Sequence, residues 1–444
     1  MKQFRSTAVL LIVAIIFGGY LYFRERGPAA GVGKTVLLRT DPDSVKQVSI
    51  SQPNSQLSLI KVGETWMVKN KTESVPADPD GVKSLLDNLQ LVQSGSVVTK
   101  PGKLSEYGLN DAHNYIAVDA TAIYFGNSPS FDKNQVYVQV RSGNNKTIAL
   151  LPTTLRDDAL KTFANWRDKA AIRFDNTKVS QLQINAPNIT ATFVPKKDKD
   201  TTNWKISKPV IAKANAGTVE SFLSSLSNAQ ATDFLDDNPT DLKKWGLTNP
   251  QAAVQISTPN GIEELKVGKT VTDGVAAQNS VSNAVFVLPS SIYDLINRNL
   301  SDWRDKDLLS LNTGKVTQMQ ITARGKTVTL DLSSANWTAS NSKLDKTLIN
   351  NAASDLLVGM QNLQAQNFID APKSMANYGL DHPSLKVQLR SSQWQGVKTL
   401  EMVSHNGKNY ARLSGADVTS NTVYVMPAHV FDAFSDALDH LLGK

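Results

Sequence analysis

A nine-residue pattern, Pro-x-x-[Leu/Met]-x-x-[Tyr/Trp]-Gly-Leu, occurs three times, as Pro101–Leu109, Pro239–Leu247 and Pro372–Leu380. The copies start 138 and 133 residues apart. A period of that length makes the chain a tandem array of one structural unit. The pattern also has a local meaning. Proline suits the first turn of a helix, where its missing N–H is not needed and its φ is preset. Glycine ends a helix by taking the left-handed conformation that a Cβ disfavours. The residue after such a glycine should then touch the residue five positions earlier. Those pairs are Leu109 with Leu104, Leu247 with Leu242, and Leu380 with Met375. The aromatic before the glycine (Tyr107, Trp245, Tyr378) is expected to pack on a sheet. Gly108, Gly246 and Gly379 thus mark a helical corner opened by Pro101, Pro239 and Pro372.

A second recurrence fixes the array. Trp66, Trp204 and Trp337 each stand 35 residues before the corner proline. Each repeat opens with an alternating segment, at Val45–Ile50, Val179–Ile184 and Val316–Ile321, which reads as a half-buried strand. A second strand follows, then the strand that carries the tryptophan. Within the 35 residues lies an amphipathic helix. Its apolar positions are Val82, Leu85, Leu86, Leu89 and Val92 in the first repeat; Val219, Phe222, Leu223 and Leu226 in the second; and Ile349, Ala352, Ala353, Leu356 and Leu357 in the third. Asp78 or Asp80 can cap the first of these helices. After the corner come further strands, a proline (Pro152, Pro289, Pro427) and a second helix. The expected class is α+β: three tandem units at 45–178, 179–315 and 316–444, each a mainly antiparallel sheet with two helices and the short corner.

In the first two repeats the second helix is expected to end alike, at Asn165-Trp166-Arg167-Asp168-Lys169 and Asp302-Trp303-Arg304-Asp305-Lys306. The third has Leu441 in the tryptophan column. The box appears only where another repeat follows. Trp166, Arg167, Asp168, Trp303, Arg304 and Asp305 are therefore assigned to the junctions, with the Arg-Asp pairs bridging polar groups there.

The amino-terminal segment sets the location. Thr7–Phe23 is a run of 17 uncharged, mainly apolar residues, flanked by Lys2 and Arg5 before it and Arg24 and Arg26 after it. That meets the lower limit for a single membrane span, and Tyr20 and Tyr22 fall where interfacial aromatics belong. The rival is a cleaved signal peptide, whose apolar core should be shorter and for which Arg24-Glu25-Arg26 is a poor approach to the small residues Ala29 and Ala30. The favoured reading is a short 1–6 cytoplasmic end, a lipid-embedded anchor at 7–23, a 24–44 linker, and the bulk of the chain outside the cytoplasm at the inner membrane. Gly27–Thr35 resembles a phosphate loop but has the wrong glycine spacing and follows no strand. The charged run Lys196–Asp200 reads as a solvated loop.

The chain has 444 residues, no cysteine, and a net charge of +7. Disulfides, thiolate metal sites and cysteine nucleophiles are excluded. The positive charge is scattered without an aromatic platform, which argues against nucleic acid as a partner. The five histidines (His113, His382, His405, His429, His440) share no repeat column and show no zinc spacing. No catalytic constellation emerges, so the expectation is a non-enzyme without cofactor or metal.

The tandem repeats of about 135 residues, the [Tyr/Trp]-Gly-Leu corner, the Trp-Arg box and the N-terminal anchor together resemble a bacterial family described as domain of unknown function 4340. The resemblance covers Val45–Lys444. Members are commonly encoded beside ABC-type transporter components, so it implies an accessory subunit facing the envelope, with a permease or related membrane protein as partner. It carries no catalytic residues over. The alternatives are an envelope glycan- or lipid-binding module and, less favoured, a hydrolase.

Overall fold

The computed structural model describes residues 33–110, 113–198, 201–339, 344–416, 418 and 420–442. The expected anchor, Thr7–Phe23, lies outside them. Among the described residues no helix is long and apolar enough to cross a membrane. The chain divides into two compact units, Met1–Lys169 and Ala170–Lys444. The first holds one large antiparallel sheet of eight strands; the second holds a sheet of nine and a sheet of eight.

All three sheets are laid out alike. The first strand of each repeat is central, at Gln47–Gln52, Gln181–Ala186 and Val316–Ala323. On one side it pairs with the second strand of its own opening meander. On the other it pairs with the first strand after the corner. Thus Val48 stands between Leu59 and Val118, Leu182 between Phe193 and Ile256, and Met319 between Leu330 and Leu389. All three central residues are fully buried. Each sheet is drawn from one contiguous stretch of chain. Short hairpins supply most of the pairing, and the helix and corner span the one long connection.

Against one face of each sheet lies the amphipathic helix, at Pro79–Gln90, Ala216–Ser227 and Lys346–Gln361. The apolar positions expected to face inward are buried, except that Val92 belongs to the strand after its helix. Each of these large side chains contributes about 1.5–3 kcal/mol relative to exposure. Asp78, Asn215 and Asp345 cap the three helices, each accepting from backbone N–H groups of the first turn. Those N–H groups and Thr347 hold the Asp345 carboxyl below its usual range.

The corner packs on the opposite face of the sheet. Met402 points to the main core while its neighbour Val403 meets Leu380, Met375 and Tyr378. Likewise Ala277 faces the main core and Ala276 meets Leu247, Leu242 and Trp245. Tyr107 stacks edge-on against Tyr137 at 5.0 Å, and Tyr378 against Tyr410 at 5.3 Å. The corner is tighter than the sequence suggests. Leu104–Tyr107, Leu242–Trp245 and Met375–Tyr378 are single 3-10 turns. Pro101, Pro239 and Pro372 therefore do not open them; each stands two residues before the N-cap. Asp241 and Ser374 do the capping through their side chains, and a four-residue turn leaves few N–H groups to satisfy. The glycine end follows the expected geometry. Gly108, Gly246 and Gly379 have φ of 68°, 71° and 70°. The amides of Leu109, Leu247 and Leu380 donate to the carbonyls of Leu104, Leu242 and Met375 at 2.9, 3.0 and 3.1 Å, the long bond of a Schellman ending.

A Cβ on Gly246 would lie 2.9 Å from the Lys269 backbone nitrogen and would occupy the left-handed region. Gly246→Ala is expected to cost about 1–2 kcal/mol. Urea unfolding should show this as a lower midpoint with unchanged slope; an unmoved midpoint would mean that the corner tolerates a side chain.

Three further expectations change. The second helix of the first two repeats does not run into the Trp-Arg box. Thr153–Ala159 and Ser290–Ile296 stop early, and the tryptophans sit on separate turns, Phe163–Trp166 and Leu300–Trp303. Side chains at the end of the central strand or in the turn after it take the released carbonyls. Gln52 Nε2 donates to Leu160 O and Lys161 O at 2.7 and 3.2 Å, and Asn188 Nδ2 to Asn297 O at 3.1 Å. In the third repeat, without the box, Asp432–Leu442 is continuous. Nor is 24–44 all linker. Thr35–Arg39 is a strand that pairs with Leu91–Ser94, because Leu38 is drawn into the first core. Finally, Lys196–Asp198 is not loop but the end of a strand paired with Thr201–Asn203, since the hairpin continues past the point where its side chains cease to be apolar.

Candidate functional site at the strap between the second and third sheets

The Trp-Arg-Asp segment forms a strap. Trp303 does not lie between repeats; it is wholly buried in the core of the second sheet. Its ring meets Phe193 at 5.1 Å and Phe222 at 4.9 Å. An indole is too large and apolar to be left at a polar seam. Its carbonyl accepts from Asn215 N at 2.8 Å, and Asp305 N donates to Lys213 O at 3.0 Å. The strap thereby adds to the edge beside the helix N-terminus of its own repeat.

A few residues later the strap changes partners. Leu308 N donates to Leu363 O at 3.1 Å and Ala365 N to Lys306 O at 2.8 Å, so the chain now pairs with the segment after the third repeat's helix. Leu308, Leu309 and Leu311 enter the core of the third sheet. One short segment is thus anchored in two cores, with Arg304 between the anchors.

Arg304 is buried at 6% exposure and its Nη1 reaches both oxygens of Asp370, at 2.6 and 2.8 Å. Its guanidinium lies 3.7 Å over the Phe368 ring. Thr422 Oγ1 donates to the same carboxylate at 3.0 Å. The charge is therefore paired, stacked and hydrogen-bonded, the conditions under which a buried ion pair is tolerable. Burial pushes the Tyr424 phenol above its usual range, and the nearby Arg304 charge opposes the shift. Asp305 does not bridge across in this way; its carboxylate accepts from Asp307 N at 3.1 Å. Beside the pair opens a cavity of about 210 Å³, lined by Lys213, Arg304, Asp307, Ser310, Phe368 and Tyr424 among others. Ser310 has a φ of 43°, uncommon for a residue with a Cβ, and its hydroxyl accepts from Lys213 Nζ at 2.9 Å.

The first box has the same local form. Trp166 is wholly buried in the first core, and Arg167 is 8% exposed. Asp78 N donates to Trp166 O at 2.8 Å, and Asp168 N to Pro76 O at 2.9 Å.

Sequence reasoning missed Asp370, Phe368, Thr422 and Tyr424. One signal was available. Asp237 and Asp370 stand two residues before the corner proline in the two repeats preceded by a Trp-Arg-Asp box, whereas the first repeat has Thr99 there. The histidines form no cluster: among the described residues no group of three His, Cys, Asp or Glu side chains can hold a metal. His382 and His429 are exposed beside Asp381 and Asp432, and His405 lies against Gly379.

The three units are mainly antiparallel α+β repeats in tandem, a class defined by its architecture. The family description Domain of unknown function (DUF4340) matches residues 66–203 and 204–374, more than half of the chain, and the chain belongs to that family. Both matches open on the tryptophan strand, at Trp66 and Trp204. Among curated proteins none matches the sequence. Among solved structures, the chain is similar at 8% identity to a DNA polymerase sliding clamp from Pseudomonas aeruginosa with ligand, covering 88% of this chain and 93% of that one, with a TM-score of 0.13. The DNA polymerase III subunit beta from the same organism is similar at 8% identity, over 88% and 98%, also at 0.13. At that TM-score neither superposition aligns a shared framework.

Proposed function

We propose that the chain is a membrane-anchored, extracytoplasmic scaffold or accessory subunit of a transport or envelope complex, associated with an ABC-type permease. One observation carries the reading: an open, polar sheet surface is built in the second repeat and again in the third. In each sheet the helices close one face, and the corner covers only part of the other. The uncovered part is a set of half-exposed polar rows. Gln183, Gln255 and Glu264 form one, with Gln255 Nε2 donating to Glu264 Oε1 at 2.9 Å. Thr329, Gln320 and Gln388 form another. Antiparallel sheets accept water on such a face. A tandem series of similar faces suits extended contact with a macromolecule better than turnover of a small one. The apolar Thr7–Phe23 segment supports the anchor.

Affinity purification of the tagged full-length protein from native membranes, followed by mass spectrometry, tests this. An ABC permease and its ATPase should be recovered in fixed ratio. Recovery of the chain alone, in good yield, would overturn the reading.

A further inference from the structure

Three lysines share one face of the second sheet's edge hairpin. Lys205 and Lys213 are direct cross-strand partners. Lys196 lies two residues along the neighbouring strand from Val194, the other partner of Lys205, so it projects to the same side. Like charges placed directly opposite each other in a sheet are unfavourable. Among the described side chains none of the three lysines is within ion-pair distance of a carboxylate, and the hydrogen bond from Lys213 to Ser310 is to a neutral hydroxyl.

The other repeats act as internal controls. The corresponding positions are Val62, Met67 and Pro76 in the first, and Ser333 and Thr338 in the third. The fold therefore does not require lysine at these places, and the second repeat alone concentrates charge there.

Beside the lysines is a cleft of about 490 Å³ with Trp204 in its wall and Ile211 on its rim. Ile211 is 65% exposed, large for an aliphatic side chain. Asp305 is the single carboxylate on the lining, and it accepts a hydrogen bond from its own turn. Trp204 itself is 5% exposed and packs in the core, so the accessible apolar surface is that of Ile211, and a cationic cluster next to it has a definite complement.

We propose that this cleft binds a phosphate-bearing amphiphile, with Lys196, Lys205 and Lys213 on the phosphate and the exposed Ile211 side chain on the apolar part. An anion among the three ammonium groups replaces mutual repulsion with charge-assisted hydrogen bonds. Binding then stabilises the folded chain and weakens with salt, because the lysines are exposed. The site stands independently of the scaffold reading.

The test is calorimetric titration of the full-length chain, in neutral detergent at low ionic strength, with dihexanoyl phosphatidic acid and separately with inorganic phosphate. The amphiphile should bind at least about tenfold more tightly than phosphate, and the combined variant Lys196→Gln, Lys205→Gln, Lys213→Gln should lose about tenfold or more of that affinity. Equal affinities, both lost in the variant, would assign the site to free phosphate and overturn the apolar half of the proposal. Absence of saturation in the wild type, or undiminished binding in the variant, would overturn it entirely. Lys205→Gln alone gives a second readout. Without ligand its Tm should rise, because the repulsion with Lys213 is relieved; a fall would show that structure rather than a ligand holds the lysines together.

Discussion

Trp303→Ala is expected to destabilise the Ala170–Lys444 unit by about 3–5 kcal/mol. The ring is completely buried and packs on Phe193 and Phe222. Its removal deletes a large apolar contact and leaves a cavity that the surrounding strands and helix cannot fill. The loss should extend beyond the second core, because the strap that starts at Trp303 continues to Leu308 and Leu309 in the third. Hydrogen exchange should report this directly. Faster exchange is expected at Leu308 and Ala365, whose amides close the strap onto the third repeat, as well as around the mutated core. Exchange that accelerates only in the second sheet would show that the two cores are not coupled through the strap.

Arg304→Ala should have the next largest effect, about 2–4 kcal/mol. The loss has two parts. The stacking on Phe368 disappears, and Asp370 keeps a charge that now lacks its counter-ion. Asp370 retains 26% side-chain exposure, so water recovers part of its solvation and holds the cost below that of a fully enclosed carboxylate. A double-mutant cycle separates the parts. Asp370→Asn in the Arg304→Ala background should restore about 1 kcal/mol or more, because the uncompensated charge is gone. If the two substitutions add independently, the ion pair contributes nothing specific and only the stacking matters.

These two residues show how a five-character motif divides its work. Trp303 belongs to the repeat that precedes it, Arg304 reaches the repeat that follows, and Asp305 closes its own turn. Lys213, paired through its carbonyl to Asp305 and through its ammonium to Ser310, ties the edge hairpin to the same place. The candidate ligand cleft and the strap therefore share Lys213 and Asp305.

Much of the fold was legible in the sequence. The Tyr/Trp-Gly-Leu corner, the inward faces of the three helices and the alternating central strands are all local patterns. Each is dictated within a few residues by backbone preference or apolar periodicity, so three copies could be read against each other. What could not be read was of a different kind. The prolines stand outside the corner because a single 3-10 turn, shorter than the expected helix, is capped by Asp241 and Ser374. The Trp-Arg helix breaks because Gln52 and Asn188, more than a hundred residues away, take its carbonyls. Arg304 finds Asp370 across 66 residues, and Lys205 faces Lys213 only once a short edge strand folds back. Sequence determined the repeating unit because its signals lie between neighbours along the chain. The strap, its buried ion pair and the lysine cleft were decided by tertiary structure, because they depend on which distant groups remain unsatisfied when the sheets close.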